Sequence, residues 1–266
     1  MSRHARPAKP GRAAYEGDRR FVSALARGLD VMRCFSASRE WLPNKDIARL
    51  TGLPKTTVSR LTFTLTALGY LRYSPERELY ALDLPVLGLG HRVLAHFEIG
   101  RIAEPFMQEL ADAAMAAVSL GVRHGDVVIY VAHRRSSAPL TIGLDVGARL
   151  PLATSVIGRA ILSGMTQEAR VAALAACGAG QQQDRGPIDI AGDELSRHGF
   201  VMSAKNDDVG VVAMPLRIDG SRNLFGLNCG GPAGLFTRDR LLRELGPALR
   251  ETAGKIEAAV RSRLDI

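Results

Sequence analysis

Cysteine is scarce: Cys34, Cys177 and Cys229 are the whole complement, odd in number and far apart. That spacing argues against a disulfide framework and leaves no CxxC pair for a metal. Cys34 and Cys229 sit in apolar contexts, where buried packing is the expected role. The six histidines show no HExxH or similar pairing, so neither a metal site nor a cofactor is expected. No apolar run approaches the roughly 18 residues that a membrane span needs. The opening stretch MSRHARPAKPGRAAYEGDRR is basic and rich in Pro and Ala, without the apolar centre of a secretory signal. It reads as a disordered basic arm over residues 1–20, on a chain expected in the cytoplasm and away from membranes. Also missing are a Ser/His/Asp arrangement, paired catalytic carboxylates and a phosphate loop. Binding without chemistry is therefore the expectation, with no catalytic residue to nominate.

What is present is charge, unevenly placed. The 266 residues are enough for two domains. The formal net charge is +8. Residues 1–82 hold 15 Lys and Arg against 7 Asp and Glu, a net of +8, and the remainder holds 20 of each sign. An excess confined to the N-terminal third favours a polyanion-binding segment joined to a neutral domain.

In that third, FVSALARGLDVMRCFS (21–36) places Val22, Leu25, Leu29, Met32 and Phe35 at helical spacing. NKDIARL (44–50) is a short second helix, with Asn44 as its N-cap and Ile47 and Leu50 turned inward. Thr51-Gly52 makes a tight turn, and Pro54 suits the first position of a third helix. There Val58, Leu61, Leu65 and Leu68 form a stripe to be buried, while Lys55, Thr56, Thr57, Ser59 and Arg60 crowd the other faces near the start. Two helices joined by a glycine turn, the second polar and basic at its start, make a helix-turn-helix. Short hydroxyl side chains permit close approach to a groove, Arg forks onto guanine, and a helix N-terminus attracts phosphate. Asn44 and Lys45 at the start of the second helix join the candidate DNA contacts. GYLRYSPERELYAL (69–82) then reads strand, turn, strand, a wing. Arg72 and Arg77 are candidates to lie along the DNA, although Glu76 or Glu78 could instead pair with Arg77.

FVSALARGLDVMRCFS, IARLTGLPKTTVSRL, LGYL and the later LPLATSVIGRAIL, in this order, resemble the IclR family of bacterial transcriptional regulators. The similarity runs from about Phe21 to near the C-terminus. It implies an α+β two-domain architecture: a winged helix-turn-helix over residues 21–82, a linker helix over 83–100, and an effector-binding domain over 101–266. It further implies a homodimer, or a dimer of dimers, acting on double-stranded operator DNA.

The C-terminal part supports an α+β domain from its own patterns. LPVLGLGHRVLAHFEIGRIAEPFMQELADAAMAAV (84–118) is helical with a break expected near Gly100. GLGHRV lacks the third glycine and preceding strand of a dinucleotide loop, and close helix packing accounts for its glycines. VSLGV and VVIYVA flank the turn RHGD, and PLTIGLDVG (139–147) alternates like a strand. VGVVAMPLRI and NLFGLNC flank DGSR, with Pro215 suggesting an edge or bulge. Helices are expected at 155–164, 167–177, 188–198 and from Arg238 onward, the last kinked at Gly246-Pro247. Antiparallel hairpins with helices to one side make an α+β fold, which the resemblance describes as a GAF-like antiparallel sheet with flanking helices.

In LPLATSVIGRAIL, Thr154 or Ser155 caps a helix whose first N–H groups, from Val156 and Ile157, face a sheet. Such a helix start is either an ordinary capped terminus or a cradle for a carboxylate. The resemblance favours the cradle, because that family holds a small organic or aromatic acid there. Residue by residue it carries over to Ile142, Ser155, Val156, Ile157, Ser203, Val209, Val211, Asn228 and Gly230. The chain departs from the family in MSAKN after Gly199-Phe200, where acidic residues are common, and in the bulk of Val156 and Ile157. Both point to a smaller or more apolar pocket. The expected function is a ligand-responsive regulator of a catabolic operon. Two rivals stay open: a nucleic-acid-binding module whose second domain only oligomerises, and an enzyme with a basic appendage.

Overall fold

The computed structural model describes residues 15, 17–36, 38–95, 97–137, 144–177, 182–203, 208–218 and 224–264. They divide into two compact units, one running to Ala95 and one starting at Phe97.

The first unit holds helices α1 (Ser23–Arg33), α2 (Asn44–Thr51) and α3 (Lys55–Ala67), the hairpin β1 (Leu71–Ser74) and β2 (Leu79–Leu82), and α4 (Pro85–Ala95). Its core joins Val31, Cys34, Phe35, Leu42, Ile47, Val58 and Leu71. The face of α1 therefore differs from the expected one. Val31 and Cys34 enter the core, whereas Val22, Leu25 and Leu29 stay exposed. Leu50 and Leu68 are exposed too, and Thr62 is buried in the stripe of α3. A 3.6-residue period marks where the apolar residues lie but does not say which flank of the stripe meets the core. Helix α4 buries no residue at all within the described chain. The glycines Gly88 and Gly90 do not mark close packing, since a Cβ at either would meet no atom within 4 Å.

The second unit is a six-stranded antiparallel sheet in the order β5-β4-β3-β8-β7-β6. Its strands are β3 (Ala117–His124), β4 (Val127–Arg135), β5 (Arg149–Pro151), β6 (Val201–Met202), β7 (Val209–Leu216) and β8 (Phe225–Pro232). Helices cover both faces rather than one. Helix α5 (Glu98–Ala114) and the C-terminal α10 (Gly246–Leu264) bury Met107, Leu249 and Ile256 against Val118, Leu120, Leu227 and Cys229. On the other face α6 (Val156–Ser163), α7 (Gln167–Ala176) and α8 (Gln182–His198) bury Ile157, Ile161, Ala173 and Ile188 against Val128, Tyr130 and Ala213. The pleat sends alternate residues of one strand into each core. Burial drives the Cys229 thiol up to about 12, so it stays protonated.

Several boundaries move. The helical break falls between α4 and α5, ahead of Gly100, which is buried inside α5 with Phe97 3.3 Å from where a Cβ would sit. The short helix α9 (Arg238–Arg240) passes through a π-helical stretch at Leu241–Leu245 into α10, so the irregular turn lies just ahead of Gly246-Pro247. The described part of the expected strand at 139–147 is a turn. Gly147 has φ 88° and donates to the Tyr130 carbonyl at 2.8 Å, and the strand comes later, at Arg149. The DGSR turn and Ile142 lie outside the described residues. Pro215 sits where β7 has no paired neighbour on its β6 side, because β6 pairs only with Val212 and Ala213.

Candidate nucleic-acid surface and effector cavity

The helix-turn-helix is held by small polar groups. Gly52 takes φ 68°, the left-handed conformation that ends α2. Thr51 Oγ1 donates back to the Ile47 carbonyl at 2.7 Å, and the Leu53 N–H donates to Thr51 Oγ1 at 3.3 Å. Pro54 is the N-cap of α3, one position earlier than expected. Asn44 does not cap α2; Pro43 occupies that position without a side-chain bond. Instead, Asn44 Oδ1 accepts from the buried Thr62 hydroxyl at 3.1 Å, tying α2 to α3. An Asn one step past the cap has helical backbone and cannot reach the first N–H groups, so its amide serves the neighbouring helix.

Lys45, Lys55, Thr56, Ser59 and Arg60 are exposed, as is Arg77 in the wing turn. Thr57 is half-buried and lines a groove with Arg60, Leu25, Leu29, Leu65 and Leu89, between α1, α3 and α4. Arg72 bonds Glu40 at 3.2 Å and lies 4.7 Å over the Trp41 ring, so it is already engaged. Phe63, absent from the expected contacts, stands 74% exposed on α3.

In the second unit a cavity of about 290 Å³ opens at the start of α6. Ser155 is the cap: its Oγ accepts from the Gly158 N–H at 3.1 Å and donates to the Pro151 carbonyl at 2.6 Å. Arg159 N–H bonds the Ser155 carbonyl, so Val156 and Ile157 are left as N–H groups without an intrahelical acceptor. The helix comes this close to the sheet because glycines face it. A Cβ on Gly226 would lie 2.7 Å from Ile157, one on Gly121 2.9 Å from Ile157, and one on Gly158 2.1 Å from the Leu152 carbonyl oxygen.

The cavity brings together Ser155, Val156, Ile157, Val209, Val211, Asn228 and Gly230. Ser203 is not on its wall. It is buried, its Oγ accepts from the Val211 N–H at 3.0 Å, and it secures the short β6–β7 pairing. Three polar residues on the wall were not anticipated: Ser119, Tyr130 and His133. Ser119 Oγ lies 2.9 Å from His133 Nδ1, and the Asn228 amide donates to the Tyr130 phenol oxygen at 2.7 Å. The four side chains thus form two hydrogen-bonded pairs on one wall. Burial raises the Tyr130 phenol above its usual range and lowers His133, so both are uncharged near neutrality. Among the described residues, Asn228 Oδ1 is buried without a hydrogen-bond partner. The cavity thus has an apolar body, two helix N–H groups without an intrahelical acceptor and a neutral polar wall. Among the described residues no group of side chains is placed to hold a metal ion, and no helix is long and apolar enough to cross a membrane.

Comparison with known proteins bears on both sites. Residues 24–75 match the IclR helix-turn-helix domain, and residues 91–258 match the C-terminal domain of bacterial transcriptional regulator IclR. The chain is 33% identical over 249 residues to the HTH-type transcriptional regulator TsaQ1/TsaQ2 of Comamonas testosteroni, covering 91% of this chain and 89% of that one. A crystal structure of an IclR family transcriptional regulator from Brucella abortus superposes with a TM-score of 0.78 at 38% identity, over 94% of this chain and 97% of that one. An IclR homologue from Microbacterium hydrocarbonoxydans, solved with 4-hydroxybenzoate, shares the fold with a TM-score of 0.70 at 22% identity, over 90% and 99%. The winged helix, the sheet with its flanking helices and these matches over most of the length agree: the chain belongs to the IclR family of DNA-binding transcriptional regulators.

Proposed function

We propose that the chain is an effector-responsive regulator whose second unit senses a small organic or aromatic acid and so controls a catabolic operon. The observation that carries this reading is the cavity at the start of α6. Val156 and Ile157 offer N–H groups with no intrahelical acceptor, at the positive end of a helix dipole, beside an apolar wall. A carboxylate meets the N–H groups and an apolar or aromatic body fills the rest. At about 290 Å³ the space is small, at the lower end of the ~300–1,000 Å³ common for ligand sites. The 4-hydroxybenzoate bound by the Microbacterium homologue belongs to the same chemical class. Val209, Val211 and Gly230 shape the body of the site, and Asn228 orients the ligand.

The DNA-binding role falls to α3 with Lys45 and Arg77, and the linker role to α4. A homodimer is part of the reading. Helix α4 leaves Leu87, Leu89 and Val93 exposed, with Leu84 just ahead of it, and α1 leaves Leu25 and Leu29 exposed. A second copy covers such a surface by symmetry. An acid changes operator affinity only if it binds the DNA-bound and free forms unequally.

The test is thermal unfolding and calorimetry of the full chain with benzoate, 4-hydroxybenzoate and short aliphatic acids, followed by operator binding with and without the acid that binds. A raised melting temperature and a changed operator affinity are expected. Failure of every acid to bind would leave the second unit as an oligomerisation module. Turnover of a small molecule by the purified chain would restore the enzyme reading.

A further inference from the structure

We infer that Phe63 is a sequence-reading residue that packs on a thymine methyl group in the major groove. The inference rests on α3 entering that groove, and its starting point is an aromatic ring out of place. With 100° per residue, Val58, Leu61, Thr62 and Leu65 form the inward stripe of α3, and Phe63 falls on the opposite side. It shares that outward side with Thr56, Ser59 and Arg60, at spacings of seven, four and three residues. A ring that is 74% exposed gives up the gain that burial would bring.

Its neighbours say what covers it. An apolar protein surface laid on Phe63 would also bury the Arg60 guanidinium and two hydroxyls, at a desolvation cost. A nucleic acid meets those groups with phosphates and base edges while offering the ring an apolar spot. The positive charge supports this choice, since the whole net excess lies within residues 1–82. Geometry agrees. Phe63 is eight residues from Lys55, the start of α3, or about 12 Å along the axis at 1.5 Å per residue. A helix is about 10–12 Å across with its side chains and the major groove is about 12 Å wide, so α3 fits in it with its outward face, Phe63 included, toward the base edges. The apolar group presented on the groove floor is the thymine C5 methyl, and Phe is among the side chains that contact it. Arg60, one turn earlier, forks onto a guanine close by. Each half-site therefore carries a guanine and a nearby thymine, the second read through its methyl.

The operator itself is found by selection: the full-length protein picks duplexes from a random-sequence pool. The tightest duplex is then remade with each thymine in turn replaced by deoxyuridine, which lacks the methyl. For the unaltered protein one thymine per half-site should matter, at about a fourfold loss per methyl removed. Phe63→Ala should bind the thymine duplex more weakly, discriminate no longer between thymine and uracil there, and keep its melting temperature because the ring is exposed. Phe63→Leu should restore part of the discrimination. If Phe63→Ala binds the selected duplex as tightly as the unaltered protein, or keeps the preference for the methyl, the inference is wrong while the operator reading stands. A Phe63→Ala loss without any uracil effect would show a wedge or general contact and overturn it as well. A change in oligomeric state with DNA discrimination intact would assign the ring to a protein interface. If the unaltered protein selects no sequence, both readings fall.

Discussion

The Asn228 amide reaches across strand β3 to the Tyr130 phenol oxygen, 2.7 Å away, joining β8 to β4 in the floor of the cavity. Among the described residues Asn228 Oδ1 has no partner, so the side chain is held in the polar wall through the phenol. Tyr130→Phe removes the acceptor of the amide and leaves a buried donor unpaired. Urea unfolding should show a loss of about 1–3 kcal/mol. An unchanged midpoint would mean that water or another group satisfies the amide.

Ser155 separates capping from recognition. Ser155→Ala removes the cap on α6 and should cost about 0.5–2 kcal/mol in chemical denaturation. Ser155→Asp supplies another capping oxygen and should keep stability near the original. It also places a negative charge beside the N–H groups of Val156 and Ile157, so acid binding should weaken in calorimetry. Equal acid affinity for Ser155→Asp and the original would remove the carboxylate from this helix start.

The glycines divide by what surrounds them. A Cβ at Gly158 would stand 2.1 Å from the Leu152 carbonyl oxygen, which is backbone and cannot swing aside. Gly158→Ala should destabilise by about 1–3 kcal/mol or more and diminish the cavity. Gly88→Ala and Gly90→Ala in α4 meet nothing within 4 Å. They should be neutral or stabilising, by about 0.5–1 kcal/mol through helix propensity. Comparing their melting temperatures checks both directions; a loss at Gly88 or Gly90 would reveal a partner packed on α4.

His133 supplies a pH dependence. Burial lowers it below the ordinary 6.5, Asp145 opposes that shift, and Arg135 and Arg134 add to it. The folded state thus binds its proton less readily than the unfolded chain. The stability tied to neutral His133 is whole above about pH 6.5 and is lost as pH falls from there toward the folded value. Urea midpoints measured from pH 8 down to 5 should fall in that window. His133→Gln should flatten the fall, and an identical profile would exclude His133 as its source.

Much of the fold was legible in local pattern. The glycine turn at Gly52, the polar start of α3, the wing and the start of α6 each follow from a short-range rule about φ, capping or period. The misreadings share a cause. Val22, Leu25 and Leu29 have the spacing of a buried face, yet the core took Val31 and Cys34 from the flank of the same helix. Asn44 had the chemistry of a cap, but Pro43 stood in the capping position. The residue types were informative, but their directions were set by packing across the unit, as where Thr62 takes up the Asn44 amide.

By itself, the sequence determined where the positive charge lies, which helices pair around a tight turn, and that a capped helix begins at Ser155. Those are consequences of residue type and spacing, although the choice of Ser155 over Thr154 as the cap came from the structure. Only the tertiary structure decided the polar wall of the cavity. Tyr130 and His133 are three apart on β4 and would point to opposite faces of a regular strand. The register instead pairs Ser119 with His133, Leu120 with Ala132 and Gly121 with Tyr130, leaving Val131 as an extra residue. That bulge turns both rings to the same side, a result that depends on how β3 and β4 align and that neither strand encodes alone.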